Sequence, residues 1–421
     1  MRLLGTSFLL LFTAFSFSSI SLAARADAEV VSFSQPGLGA DRLGVIVNDE
    51  DPDSAVIANY YRKKRGIPEG NMIHVRFAPG RTTLPKDEFA HIKQEVDRAA
   101  GSHIQAYALT WTQPYRADCM SITSAFAFGF DASYCANGCK STRPSPYFNS
   151  NSSQPYTTHS IRPTMSLAAG SVNQAINLID RGVAADGKNP DGTAYLVSTS
   201  DSNRNVRAKG YEKTREMMRK LIPTVIVKAN SLRKKPDVMF YFTGLASVPD
   251  IETNRYLPGA MADHLTSTGG ALLDGSQMSS LKWLEAGATG SYGAVTEPCN
   301  FPEKFPVPAI AMAHYLQGET LIEAYWKSVA MPGQGIFIGE PLARPFSGFR
   351  SKSGNSTLQV NMRAIEPGAY SVQVSPTMIG PFHEIGRMNI GWGVKEIRMD
   401  RVQPGFYRFE NITRKLQQQS N

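Results

Sequence analysis

Apolar residues in this chain fall into short compact runs divided by polar turns. Between the runs lie stretches whose apolar positions recur at helical spacing. The run Arg42–Asn48 reads as a buried strand. It ends in the polar turn Asn48–Ser54. Ala55, Ile57, Ala58 and Tyr61 then repeat along one face of a helix that closes on Lys63, Lys64 and Arg65 before Gly66. Asn71–Phe77 predicts the next strand, Leu84–Ala99 the next helix and Gln105–Thr110 the next strand. Strand and helix in strict alternation predict a parallel sheet. Such sheets hold their ligands beyond the carboxyl ends of the strands.

Residues 111 to about 166 break this rhythm. They contain three of the cysteines, several prolines and the polar run Asn149–Pro155, and they predict a long ordered insertion. The alternation resumes with a helix at Ser171–Arg181, a strand at Thr193–Ser198, a helix at Tyr211–Leu221 and a short strand at Thr224–Ala229. Val238–Gly244 is the strongest buried-strand pattern in the chain. Ser279–Glu285, Ala309–Leu316 and Thr320–Val329 predict helices, and Gly335–Gly339 a closing strand. The expected fold class is therefore α/β over residues 40–346, a mostly parallel sheet with helices on both faces. Strands at 43–48, 72–77, 105–110, 193–198 and 238–243 share that sheet, and 335–339 joins it. Past Pro345 the period changes to strict alternation, at Leu358–Met362, Tyr370–Val374, Gly393–Met399 and Gly405–Phe409. This predicts a separate small all-β domain over 350–413, followed by a polar tail at 414–421.

The length of 421 residues suits two such units, and an apolar fraction of 42% rules out a wholly disordered chain. The N-terminus begins Met1-Arg2. Leu3–Ala24 is almost entirely apolar or small, and Ala24-Arg25-Ala26 and Ala26-Asp27-Ala28 are small-residue exits. That is the layout of a secretory signal peptide over 1–26, weighed against an uncleaved anchor. No later stretch is long enough to span a membrane, so the chain is expected outside the cytoplasm, periplasmic or extracellular. The net charge of +8 falls to +6 once Arg2 and Arg25 are set aside with that leader, and the basic residues are dispersed. With no basic stripe and no recognisable module, nucleic acid is not an expected partner. In an oxidising compartment four cysteines permit disulfides. The expected bridges are Cys135–Cys139, or Cys119 with either of them. Zinc on the same three would need a fourth ligand, and none lies nearby in sequence.

Candidate chemistry is sparse. Cys299, behind the small-residue run Gly293–Pro298, is a nucleophile if a histidine or backbone donors lower its pKa. His264 is the base that reading needs. The plain alternative makes Cys299 a structural or disulfide cysteine and His264 a local hydrogen-bonding group. Asp263 orients the His264 ring only if its carboxylate reaches it, which sequence neighbours rarely achieve. Asp49, Glu50, Asp51 and Asp53 offer hard oxygen ligands but serve equally as a helix-capping turn. Trp111, Tyr115 and Arg116 follow a strand end, where they either stack on a sugar or peptide or anchor the insertion. No Gly-x-Gly-x-x-Gly helix opening, Walker sequence, Gly-x-Ser-x-Gly elbow or His-Glu-x-x-His is present, and no cofactor is called for.

Several segments carry a resemblance. Val45–Ser54, Tyr60–His74, Ala108–Tyr115, Ala262–Ala271, Tyr292–Cys299 and Gly318–Trp326 resemble a family of exported bacterial proteins to which no activity is attached. More distantly, the helix ending Lys64-Arg65-Gly66 before a strand, and Gly318–Ala324 leading to Phe337–Leu342, are similar to the gingipain-type cysteine peptidases. That resemblance implies a caspase-like α/β sandwich followed by an immunoglobulin-like domain. It places the family's catalytic His at Thr243-Gly244 and its Cys within Gly269–Asp274, and neither residue is present there. The resemblance therefore implies an exported, degenerate peptidase-like protein, binding or envelope-associated, with a peptide, protein or glycan as its ligand. Thr243 at that place, with the polar turn Asn254-Arg255 ahead of His264, completes the ligand-contact candidates. The alternatives are a hydrolase using Cys299 and His264, and a carbohydrate-binding or carbohydrate-processing module.

Export has a direct expectation. N-terminal sequencing of native protein should begin near Asp27, and a sequence beginning at Met1 would exclude a cleaved leader.

Overall fold

The structure is a computed structural model that describes residues 28–33, 37–136, 138–354 and 356–419, with side chains to residue 416. The expected signal peptide over 1–26 lies outside the described residues. The described chain opens with β1 (Ala28–Phe33). The α/β unit then contributes β2 (Leu43–Asn48), β3 (Met72–Val75), β4 (Thr83–Leu84), β5 (Ala106–Leu109), β6 (Arg116–Ala117), β7 (Met120–Ser121) and β8 (Thr164–Ser166). It continues with β9 (Thr193–Ser198), β10 (Thr224–Lys228), β11 (Val238–Gly244), β12 (Tyr256–Leu265), β13 (Gly290–Ala294) and β14 (Gly335–Gly339). The C-terminal unit holds β15 (Arg350–Gly354), β16 (Thr357–Asn361), β17 (Gly368–Ser375), β18 (His383–Ile390), β19 (Glu396–Asp400) and β20 (Gly405–Asn411).

Ten strands form one sheet in the order β10-β9-β11-β12-β13-β14-β8-β5-β2-β3. All its ladders are parallel except β13 with β14. Helices cover both faces, as the alternation predicted, because neither face of a parallel sheet can meet water. Along β2, Val45 and Val47 enter the core under Pro52–Arg65, Val172–Ala185, Pro308–Leu316 and Leu321–Ser328. Ile46 faces the other core, with Phe89, Ile92 and Val96 of Lys86–Ala99. Helix Pro52–Arg65 has the ends its sequence asks for. Asp51 caps it by accepting from the Asp53 amide at 3.0 Å, four basic residues fill its last turn, and Gly66 ends it at φ +64°.

The order makes β14 a seam. On one side lie β10, β9, β11, β12 and β13; on the other β8, β5, β2 and β3. Glu340 follows directly from β14 and is fully buried. One of its oxygens accepts from the Tyr61 hydroxyl (2.7 Å), Arg65 Nε (3.0 Å) and the Leu342 amide (3.2 Å). Its other oxygen meets the second arm of Arg65, which also holds Asp186. Helix Val172–Ala185 runs so close that a Cβ on Gly182 would stand 2.4 Å from that second oxygen. Glycine is required there by this approach.

Two smaller sheets, β1-β20-β17-β18 and β15-β16-β19, enclose a second core of Phe33, Leu358, Val360, Tyr370, Val372, Tyr407 and Phe409. The N-terminal strand β1 runs parallel to β20, with Ala28 opposite Gly405, a pairing that no local pattern announces. The segment expected as a polar tail begins instead as helix Ile412–Gln419. Its start is held by the Asn411 side chain accepting from the Arg414 amide and by Arg414 paired with Glu366. Arg363 ties the two units together, donating to the carbonyls of Asn189 and Pro190 at 3.0 and 2.9 Å.

Glu340→Gln keeps the shape of the knot but leaves Arg65 facing a neutral partner. Breaking a buried ion pair in this way should cost about 3 kcal/mol of unfolding free energy, against about 1 kcal/mol for Tyr61→Phe. Urea denaturation of the two variants beside the parent measures both, and equal small losses would show the knot to be dispensable.

Candidate functional site

Parallel strands β9, β11 and β12 end together, and their carboxyl edge is where a sheet of this kind places ligands. Thr243 and His264 are register partners on neighbouring strands. Thr243 is buried, and its hydroxyl donates inward to the Val197 carbonyl at 3.1 Å. His264 is fully buried too. Its Nδ1 accepts from the Trp283 indole N–H at 2.9 Å, while Nε2 lies 3.1 Å from the Met278 carbonyl. These two bonds fix one neutral tautomer, with the proton on Nε2. Burial depresses the pKa of the ring to about 3.

Successive side chains on a strand face opposite ways, so Asp263 cannot reach the ring beside it. It meets Arg207 on the other face at 2.6 Å. Burial pushes the Asp263 carboxyl up to about 6, and Arg207 pulls against that rise. Arg207 also donates to the carbonyls of Thr243 and Pro306. The segment carrying it crosses the end of β11 so closely that a Cβ on Gly244 would stand 1.8 Å from the Arg204 carbonyl oxygen. Residues 204–207 thus fill the place where a side chain after Thr243 would project.

Around this covered end runs a polar rim. Arg204 donates to Asp201 (2.9 Å) and Thr266 (3.1 Å), and the Thr266 hydroxyl donates to Gln277 (2.7 Å). Ser200 and Asn230 exchange hydrogen bonds at its exposed margin. Sequence reasoning passed over Arg204, Arg207, Trp283 and Gln277. Arg207 lies in a short 3-10 segment with no periodic pattern and Arg204 directly precedes it, and nothing in their neighbourhood marks them.

The other candidates are dispersed. Cys299 is bridged to Cys139 and Cys119 to Cys135. This corrects the expected Cys135–Cys139 bridge, while Cys119 does pair with one of its two expected partners. It also corrects the nucleophile reading, because the Cys299 sulfur is not a thiol. The physical reason is that the loop after Cys135 packs against the loop after Cys299, with Lys304 Nζ donating to the Lys140 carbonyl at 2.7 Å. Trp111 is buried edge-on to Phe77 and Phe126, its N–H on the Pro114 carbonyl. Tyr115 is buried with its hydroxyl on Asp274, and Arg116 donates to Thr83. This trio anchors the insertion and offers no open stacking face. Asn254 closes a turn by donating to the Leu232 carbonyl, and Arg255 donates to the Pro236 carbonyl. Both precede β12, at the sheet edge opposite His264.

No family model and no curated protein matches the chain. Among solved structures, the complex of Porphyromonas gingivalis RgpB pro- and mature domains aligns with a TM-score of 0.45 and 8% identity, covering 86% of this chain and 99% of that one. A structure described as a protease aligns with a TM-score of 0.39 and 9% identity, covering 89% and 98%. At such scores neither likeness bears on the reaction. The site rests on its own residues, and the α/β fold on the sheet itself.

The state of His264 sets a pH dependence. Its folded pKa lies below its unfolded value of about 6.5, so its contribution is complete above that value and is lost as pH falls toward 3. Between pH 7 and pH 5 the loss from this ring should be about 2 kcal/mol. Urea denaturation at both pH values should show this slope in the parent and lose it in His264→Gln. An unchanged slope in the variant would refute the assignment.

Proposed function

We propose that this chain is an exported binding protein built on a peptidase-like α/β unit, with a peptide, protein or glycan as its ligand and no peptide hydrolysis of its own. What carries the reading is the strand end at Thr243. The sequence resemblance would hold a catalytic imidazole there. Thr243 has no group that titrates near neutral pH, its hydroxyl is bonded inward, and residues 204–207 cover it. The nearest imidazole, His264, keeps both nitrogens bonded and stays neutral. The sulfur of Cys299 is held in a bridge, and two bridges accord with an oxidising compartment. The polar rim of Ser200, Asp201, Arg204, Asn230, Thr266 and Gln277 supplies donors and acceptors, and its two hydroxyls donate to the amide oxygens of Asn230 and Gln277 and not to a base, which suits binding.

The test uses the purified mature protein, a thiol-directed activity probe and a peptide library. The probe should label nothing in native material, intact mass after alkylation should show no free thiol, and no peptide should be cut. A Cys139→Ser/Cys299→Ser protein should lose stability, by up to about 5 kcal/mol in the chain-entropy view of so long a loop. Peptide turnover that disappears in that variant would overturn the reading.

A further inference from the structure

Trp111 anchors the insertion, and a tryptophan open to a ligand stands elsewhere. Of the four tryptophans, Trp111, Trp283 and Trp326 are buried, while Trp392 is 43% exposed. Trp392 lies in the Gly391–Gly393 turn between β18 and β19 and borders a cavity of about 620 Å³, within the usual range for a small-molecule site. Helices Tyr211–Met218 and Pro308–Leu316 wall one side, and the C-terminal unit walls the other.

The polar groups lining this cavity are four amides, Asn149, Asn151, Gln317 and Asn411, among six ionisable side chains and Thr413. Gln317 is 8% exposed, and its carboxamide makes no hydrogen bond among the described residues. Asn149 and Asn151 line the same wall. The Asn149 side-chain oxygen lies 3.2 Å from His314 Nε2, and the side-chain amide N–H groups of Asn149 have no hydrogen-bond partner among the described residues. The charges largely cancel. Arg219 pairs with Glu216 at 2.7 Å, and Arg414 with Glu366. Lys220 is exposed and has no ion-pair partner among the described residues. Its stem lies 3.8 Å from the point a Cβ on Gly393 would occupy, next to Trp392.

We propose that this cavity binds an oligosaccharide containing a carboxylated sugar, of the uronate class. The indole face of Trp392 stacks on the C–H face of one ring. Lys220 meets the carboxylate, and the amides of Gln317, Asn149 and Asn151 exchange hydrogen bonds with hydroxyls, each offering both donor and acceptor. One unpaired cation beside several amides and a flat aromatic matches a ligand rich in hydroxyls with one acid per ring. An acidic peptide would ask for more unpaired cations and no stacking platform. The site is separate from the strand-end rim, so it stands whether or not that rim binds anything.

Calorimetry on the mature protein with tri-galacturonate, a neutral cello-oligosaccharide of equal length and tri-glutamate decides it. Tri-galacturonate should bind most tightly of the three. Trp392→Ala should weaken it about tenfold, and Lys220→Gln should remove about fivefold of its advantage over the neutral oligomer. Both side chains face solvent, so neither change should disturb folding, and unchanged melting curves check this. No heat with tri-galacturonate, equal binding of the neutral oligomer or of tri-glutamate, or affinity untouched by Trp392→Ala would overturn the proposal.

Discussion

The buried carboxylate of Glu340 is the interaction on which the α/β unit depends. β14 is the last strand of that unit in the chain, yet it sits in the middle of the sheet, with five strands to one side and four to the other. Its partners are contacted sparingly on the β8 side, where Ile338 and Ser166 are the paired residues. Glu340 compensates by reaching Tyr61 and Arg65 of a helix that packs over the β8-side strands, while β13 holds β14 antiparallel. A carboxylate buried to this depth is tolerable because Tyr61, Arg65 and the Leu342 amide are all directed at it. Gly182 is small so that the helix between β8 and β9 can lie against it.

The same economy shapes the carboxyl edge. Arg207 is buried, satisfies two carbonyls and faces Asp263, and in doing so draws residues 204–207 across the end of β11. The adjacent residues Asp263 and His264 therefore work on opposite faces of one strand. One joins an ion pair, and the other is locked neutral against Trp283. Chemistry that would need these two side chains in a single relay is precluded by the alternation of the strand.

The C-terminal unit is coupled to the first by backbone as well as by side chains. β1 leaves the chain's beginning to pair with β20, so the second core contains Phe33 beside Tyr370 and Phe409. Arg363 bridges the two units at a spacing that leaves the cavity bordered by Trp392 between them. It exists only because of that spacing.

Local sequence was sufficient wherever the governing interaction is local. Periodicity and caps determined the strands from Leu43 to Asn48 and from Val238 to Gly244, the helix Pro52–Arg65, and the change from α/β to alternating strands after Pro345. Each depends on side chains a few positions apart. Tertiary structure alone decided the rest. The strand β8 is three residues long, too short to carry a period, and β1 finds its partner at the far end of the chain. Cys139 meets Cys299 across 160 residues, so their spacing carried no trace of the pair and the shorter Cys135–Cys139 bridge looked natural. Trp111 and Trp392 look alike as letters. Only the packing of Phe77 and Phe126 over one, and the open gap beside the other, separate a core residue from a surface one, because burial is set by what the whole fold brings near a side chain and not by its neighbours in sequence.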